Sequence, residues 1–249
     1  MSRLILSVNS TISWLLKTFI FLTVPYSLFK QDYLSAVFAF TVLLISLIPA
    51  AVNRSYNTNL PWSLDFWLTL WIALSVLGRL GFYIHFPWWD SFLHLAGTAV
   101  LGYLAFVLVY ALNFAGKIKL SIPLIGFSTF LIGVAFGALW EIGEFWVWRL
   151  TGSSVLSASN TFEDSLFDTF KDLQLDTLGA LLIALFGMQY VAHKRHVKLR
   201  NWMQPFVKIF GAKIREKSAR LKNRTLKIKN KIQQAKALKF SRKPKNPEV

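Results

Sequence analysis

An all-α bundle of about six membrane-spanning helices is the fold this sequence predicts, and three observations predict it. The chain of 249 residues is 54% hydrophobic and only 16% charged, whereas a soluble domain usually carries about a quarter charged residues. Its mean hydropathy is +0.45. The apolar residues fall into six stretches, each near the length of about 20 residues that a helix needs to cross a bilayer. No stretch alternates apolar and polar residues as a half-buried strand would, and helices satisfy their own backbone inside lipid.

The stretches are roughly Ser10–Phe29, Leu34–Val52, Ser63–Ile84, Trp88–Leu112, Ile122–Leu150 and Phe170–Val191. Turn-forming or polar residues separate them: Lys30-Gln31-Asp32, Asn53 to Pro61, Pro87, Gly116 to Ser121, and Thr151 to Asn160. Arg3 and Lys17 interrupt the first apolar stretch and no small-residue cleavage pattern follows it. It therefore reads as a retained first helix rather than a signal peptide. No internal repeat is evident. The absence of cysteine excludes a disulfide, a thiolate ligand and a cysteine nucleophile.

Charge divides the chain in two. Of 28 Lys and Arg, 19 lie in Lys194–Val249 against two acids, Glu216 and Glu248, so this segment carries +17 while residues 1–193 carry −1. The expected domains are thus a six-helix transmembrane domain, 1–193, and a basic cytoplasmic tail, 194–249. The positive-inside rule puts the C-terminus in the cytoplasm, and six spans put the N-terminus there too. The setting is the inner or plasma membrane of a cell. Arg54, Lys117 and Lys119 agree with this orientation, while Lys30 and Arg149 oppose it. Trp62, Trp67, Trp88, Trp89, Trp146 and Trp148 lie near helix ends, where aromatic belts sit.

Within the tail, Leu199, Trp202, Met203, Phe206 and Phe210 follow helical spacing, interrupted by Pro205. This predicts a short interfacial helix. Lys213 to Lys245 is basic, a composition that suits anionic lipid headgroups or a disordered segment. Membrane lipids are the expected partners. No RNA-binding motif points to nucleic acid.

With the topology in place, the charged residues of the spans become informative. Asp90 and His94 start the fourth span, Glu141 and Glu144 close the fifth, Asp168, Asp172 and Asp176 open the sixth, and Arg79 lies near the end of the third. All fall at one depth, in the outer half of the membrane. Spacings of i,i+4, i,i+3 and i,i+4,i+8 put each set on one helical face, so three faces can meet at one cavity. One charged side chain at a helix centre costs roughly 2.5–3.5 kcal/mol on insertion scales. Six carboxylates here face at most two cations, Arg79 and Lys171. They must share protons or hold a metal ion. Taken singly, the residues have plainer readings. Asp90 suits a helix N-terminus, His94 a hydrogen-bonded bundle histidine, Arg79 with one Glu a structural ion pair, and Glu163 a solvated loop.

Three motifs occur in order: Trp89-Asp90-Ser91-Phe92-Leu93-His94-Leu95-Ala96-Gly97, Trp140-Glu141-Ile142-Gly143-Glu144-Phe145-Trp146, and Asp168-Thr169-Phe170-Lys171-Asp172 with Gly179-Ala180. They resemble the YjdF-type bacterial inner-membrane proteins, a family of unknown function, over about Trp88 to Ala192. The last block, with Asp176 where Asn is common, also resembles VanZ-like membrane proteins. Those are linked to glycopeptide-antibiotic resistance, which implies a cell-envelope setting.

The expected function is that of a metal-dependent membrane hydrolase or transferase acting on a lipid or cell-envelope substrate. Asp90, His94, Glu141 and Asp172 are the expected ligands of a divalent ion, an oxygen-rich set with one His that suits Mg, Mn, Zn or Fe. Glu144 or Asp168 is the expected general base, and Arg79 and Asp176 complete the polar site. The same constellation also fits a cation- or proton-coupled transporter, or a scaffold whose polar groups hold helices together. No phosphate-binding loop, serine-nucleophile elbow or H-E-x-x-H motif occurs.

Overall fold

A computed structural model describes residues 2–114, 118–151, 162–193, 204–206 and 208–209. It is all-helical over these residues, with α1 Ser2–Phe29, α2 Tyr33–Ser46, α3 Ile48–Tyr56, α4 Trp62–Leu77, a π-helical turn Gly78–Phe82, α5 Tyr83–His85, α6 Trp89–Phe114, α7 Ile122–Thr151 and α8 Phe162–Ala192. Six segments are long and apolar enough to cross a membrane: Thr11–Phe29, Tyr33–Tyr56, Trp62–His85, Trp89–Phe114, Ile122–Thr151 and Leu166–Ala192. The fold class is the expected one, and the spans differ from expectation by only a few residues at most ends. The last helix starts earlier, so Asp168 lies inside α8 rather than ahead of it.

Two spans carry breaks that hydropathy does not register. In the second, Pro49 sits in the first turn of α3, where its missing N–H costs nothing. That helix ends on Asn57 in the left-handed region (φ 45°), which Asn tolerates better than most residues. The Asn53 side-chain oxygen then accepts from the Leu60 backbone N–H at 2.7 Å and closes the loop. In the third span the helix passes through the π turn, in which Gly81 has φ +125°.

The start of α2 is capped. Asp32 accepts from the Ser35 backbone N–H at 3.0 Å and from the Ser35 hydroxyl. Slight burial disfavours the Asp32 anion, but the two Ser35 hydrogen bonds and the Arg79 charge outweigh it and hold the carboxyl below its ordinary value of 3.8. A depressed folded-state value means that the ionised cap stabilises the fold above the usual carboxylate range. That contribution disappears as pH falls through the folded value. Asp32→Ala should therefore lower stability by about 0.5–2 kcal/mol at pH 7. Thermal melts of both proteins should converge as the pH is taken below 3.8; a constant gap would show that the capping charge is not responsible.

The spans form two groups of three. α6, α7 and α8 pack mutually, α1, α2 and α4 form the other group, and α4 against α6 is the main backbone contact between them. Ile20, Val42, Leu68, Ile72 and Val76 fill the core of the first-half group. Phe106, Tyr110, Ala111, Ile125 and Val191 fill that of the second, and Phe206 of the tail packs on it. Residues 204–206 and 208–209 of the expected interfacial helix are helical, while Leu199, Trp202, Met203, Phe210 and Lys213–Lys245 lie outside the described residues. Close approach of α6 and α8 depends on Gly179, where an added methyl would lie 2.5 Å from both the Leu95 carbonyl oxygen and the Thr98 hydroxyl. Gly97 faces the Trp71 ring of α4 instead.

A buried ion pair crosses the first group. Lys17 of α1 donates to Asp65 of α4 at 2.6 Å, with the lysine side chain 4% and the aspartate 26% exposed. Large apolar side chains such as Leu15, Phe21, Leu22, Leu182 and Phe186 are exposed on the outside of the bundle, as a lipid-facing surface requires. Trp62, Trp67, Trp88, Trp146 and Trp148 are exposed near the span ends. Trp89, expected with them, is buried against Phe82 and Phe92 because its face of α6 turns inward.

Candidate functional site

The acids of the last three spans converge on one imidazole. α6 brings Asp90 and His94 inward together because they are one turn apart, α8 does the same for Asp172 and Asp176, and α7 supplies Glu141. His94, Glu141, Asp172 and Asp176 are each at most 7% exposed, while Asp90 is half-buried. The His94 Nδ1 atom lies 3.3 and 3.4 Å from the two Asp176 oxygens and 3.5 Å from Glu141 Oε1. The Nε2 atom lies 3.8 Å from Asp90 Oδ1 and 3.9 Å from Asp172 Oδ2.

Two ligand triads follow, Asp90–His94–Asp172 and His94–Glu141–Asp176. Within each, one ligand atom per residue lies within 4.8 Å of the others. Ligands bound at about 2.0–2.6 Å to one ion stand roughly 3–4 Å apart, which is the spacing seen around both ring nitrogens. The four expected ligands are therefore divided. Asp90 and Asp172 face Nε2, and Glu141 faces Nδ1 beside Asp176. One buried oxygen on each side, Asp172 Oδ1 and Glu141 Oε1, has no hydrogen-bond partner among the described residues. Buried carboxylate oxygens without partners are costly, and a cation placed between them would satisfy them.

The remaining site residues lie around this core. Glu144 is half-buried, accepts from the Trp140 indole N–H at 2.6 Å, and stands within electrostatic reach of Glu141, His94 and Asp90. Asp168 pairs with Lys171 at 3.4 Å and faces Asp90 and Asp172 more distantly. Arg79 was expected at the rim of the cluster, as partner to a surplus carboxylate or to an anionic headgroup. Its guanidinium instead donates to the Ser35 hydroxyl at 2.7 and 3.0 Å, lies 5.4 Å from the Phe38 ring centre and is attracted by Asp32. Arg79 lies within the π turn.

Sequence reasoning missed Tyr83, which lies within electrostatic reach of Asp90, Glu144, Asp172 and Arg79. Its only signal was the four-residue step from Arg79. Trp140 stood inside a quoted motif, and its own four-residue step to Glu144 was readable. Asp65, an acid of the first-half group, is paired with Lys17. An apolar cavity of about 850 Å³ opens between α4, α6 and α8, lined by Trp67, Trp71, Phe92, Tyr103, Phe186 and Tyr190 among others. It includes neither Asp65 nor any group of the cluster.

The geometry can be set beside known proteins. A family model described as "Predicted membrane protein (DUF2238)" matches residues 12–193. The chain belongs to this family. The DUF2238 match takes in all six spans, a wider reach than the three motifs, and the YjdF-type resemblance fits it. An uncharacterized protein of Thermotoga maritima is 29% identical over 163 residues, covering 65% of this chain and 80% of that protein. No solved structure matches. The VanZ-like resemblance of the last block is not shown by these comparisons.

Proposed function

We propose that this membrane protein is a metal-dependent hydrolase or transferase acting on a lipid or cell-envelope substrate at the outer face of the membrane. The observation that carries the reading is the buried imidazole of His94, faced by carboxylates at ligand spacing and accompanied by carboxylate oxygens that have no other partner. Asp90, His94 Nε2 and Asp172 are the group suited to a working ion, because Asp90 is the more open of these ligands. An ion there supplies Lewis-acid activation of water or of a substrate oxygen. Glu144, positioned by Trp140, and Asp168, at the solvent-side end of α8, are the carboxylates placed to take a proton. The envelope setting implied by the VanZ-like resemblance points to the same substrate class. For transport, a path joining Asp65 to the cluster would be needed. Asp65 is bound to Lys17, so no specific observation favours that reading.

Detergent-purified protein dialysed against Zn²⁺ or Mn²⁺ should retain stoichiometric metal and lose it in His94→Ala. Incubated with extracted envelope lipids, it should generate a product visible by mass spectrometry that Asp172→Asn does not generate. Metal-free protein at saturating ion would sink the proposal.

Orientation has its own test, made simple by the absence of native cysteine. A cysteine introduced at Ser157 should react with an impermeant reagent from outside the cell and one at Ser218 should not. The reverse pattern would move the acidic cluster to the cytoplasmic face.

A further inference from the structure

His94 lies between two sets of acids, and the set on its inner side is the more enclosed. Counting along the helices, Asp176 is one turn deeper than Asp172, and Glu141 is deeper than Glu144. The outer triad draws on α6 and α8 alone. The inner triad takes one residue from each of three helices, His94 from α6, Glu141 from α7 and Asp176 from α8, and all three are buried.

We propose that the protein holds a second, wholly buried divalent cation between His94 Nδ1, Glu141 and Asp176, so that the His94 imidazole bridges two ions. The proposal rests on the reading that a cation occupies the outer triad, and three observations extend it to the inner one. The Nδ1–oxygen distances of 3.3, 3.4 and 3.5 Å are those of neighbouring ligands on one ion. Glu141 Oε1, 7% exposed as a residue, faces Nδ1 yet has no hydrogen-bond partner among the described residues. The carboxylate of Asp176 is held where it can serve, because Gly137 of α7 lies against it; a methyl at position 137 would come within 2.5 Å of Asp176 Oδ2.

Charge points the same way. Asp90, Glu141, Asp172 and Asp176 bring up to four negative charges to one ring inside the membrane, and one divalent ion offsets only half of them. Bridging forms a metal–nitrogen bond at each ring nitrogen. The remaining ring proton is released to bulk water as the second ion binds, which leaves an imidazolate, so two divalent ions offset four of the five negative charges then present. With every ligand buried, the inner ion has no opening to a substrate. Its role is to offset charge and to tie α6, α7 and α8 together, while the outer ion meets the substrate.

The test is metal stoichiometry of the full-length protein in detergent, by equilibrium dialysis against Zn²⁺ and elemental analysis. Size-exclusion profiles and helical circular dichroism would confirm that each variant is folded. Wild type should bind two ions per chain. Glu141→Gln and Asp176→Asn should each bind one, and His94→Ala should lose high-affinity binding at both positions. The wild-type count decides even if a variant misfolds. A single ion at saturation overturns the second site. If Asp176→Asn then weakens that ion by about 10–100-fold, Asp176 is a hydrogen-bonding partner of a ligating histidine. Two ions that persist unchanged in both inner variants would place the second ion elsewhere and also overturn the proposal. Zero ions in the wild type would defeat the proposed function itself.

Discussion

Asp65→Leu alone should destabilise the protein by about 3–5 kcal/mol, because it strands a charged lysine inside the bundle. The Lys17 side chain is 4% exposed and its one ion-pair partner among the described residues is Asp65, at 2.6 Å. The converse change, Lys17→Met, should cost less. Asp65 is 26% exposed and lies in the first turn of α4, so its carboxylate can turn toward the headgroup region. The double variant Lys17→Met with Asp65→Leu should recover most of the loss, since two apolar groups satisfy one another where one charge cannot. Thermal unfolding of the four proteins in one detergent closes the cycle. Strictly additive losses would show that the two side chains act independently and that the pair does not join α1 to α4.

Gly179→Val should disrupt the last three spans. The nearest atoms to an added methyl are the Leu95 carbonyl oxygen at 2.5 Å, the Thr98 hydroxyl at 2.5 Å and the Ala99 nitrogen at 3.2 Å. Two of these are backbone atoms of α6, which cannot step aside as a side-chain tip can. The helices must separate, and these are the helices that carry Asp90, His94, Asp172 and Asp176. Even Gly179→Ala should cost on the order of 1–3 kcal/mol by overpacking, and the branched side chain more. Gly143 of α7 is the control, with nothing within 4 Å of a methyl placed there. Gly143→Ala should be neutral or stabilising by up to about 1 kcal/mol through helix propensity. Equal melting temperatures for Gly179→Ala and Gly143→Ala would contradict the packing account.

The spans were legible because hydropathy over some 20 residues is a strong signal, and the breaks inside them were not. Pro49 reads as one imperfect residue in an apolar run, and Gly81 as one more glycine. The convergence of the acids was legible for a similar reason, since a four-residue step on a helix fixes a face. Which ring nitrogen of His94 meets which acid was beyond reach, because it depends on a side-chain rotamer and on the relative height of three helices. Partners across the chain were equally hidden. Lys17 and Asp65 are 48 positions apart; Lys17 alone reads as an interruption of an apolar stretch and Asp65 as an interfacial charge near a helix start. Arg79 was expected toward the cluster because charge complementarity on paper says nothing of direction. A hydroxyl and a capping carboxylate on α2 lay nearer.

The π turn at Gly78–Phe82 acts as a phase shifter. A π turn fits an additional residue into nearly the same axial advance, so side chains beyond it point in different directions from those a continuous α-helix would give. Of two residues four apart, Arg79 bonds to Ser35 of α2, while Tyr83 lies within electrostatic reach of Arg79 and of Asp90, Glu144 and Asp172. The third span thus runs as two helical pieces joined at a kink, with the joint formed by a glycine whose φ of +125° other residues rarely adopt. Deleting one residue at this joint would leave α4 seated as before and rotate everything from Tyr83 to His85 out of alignment.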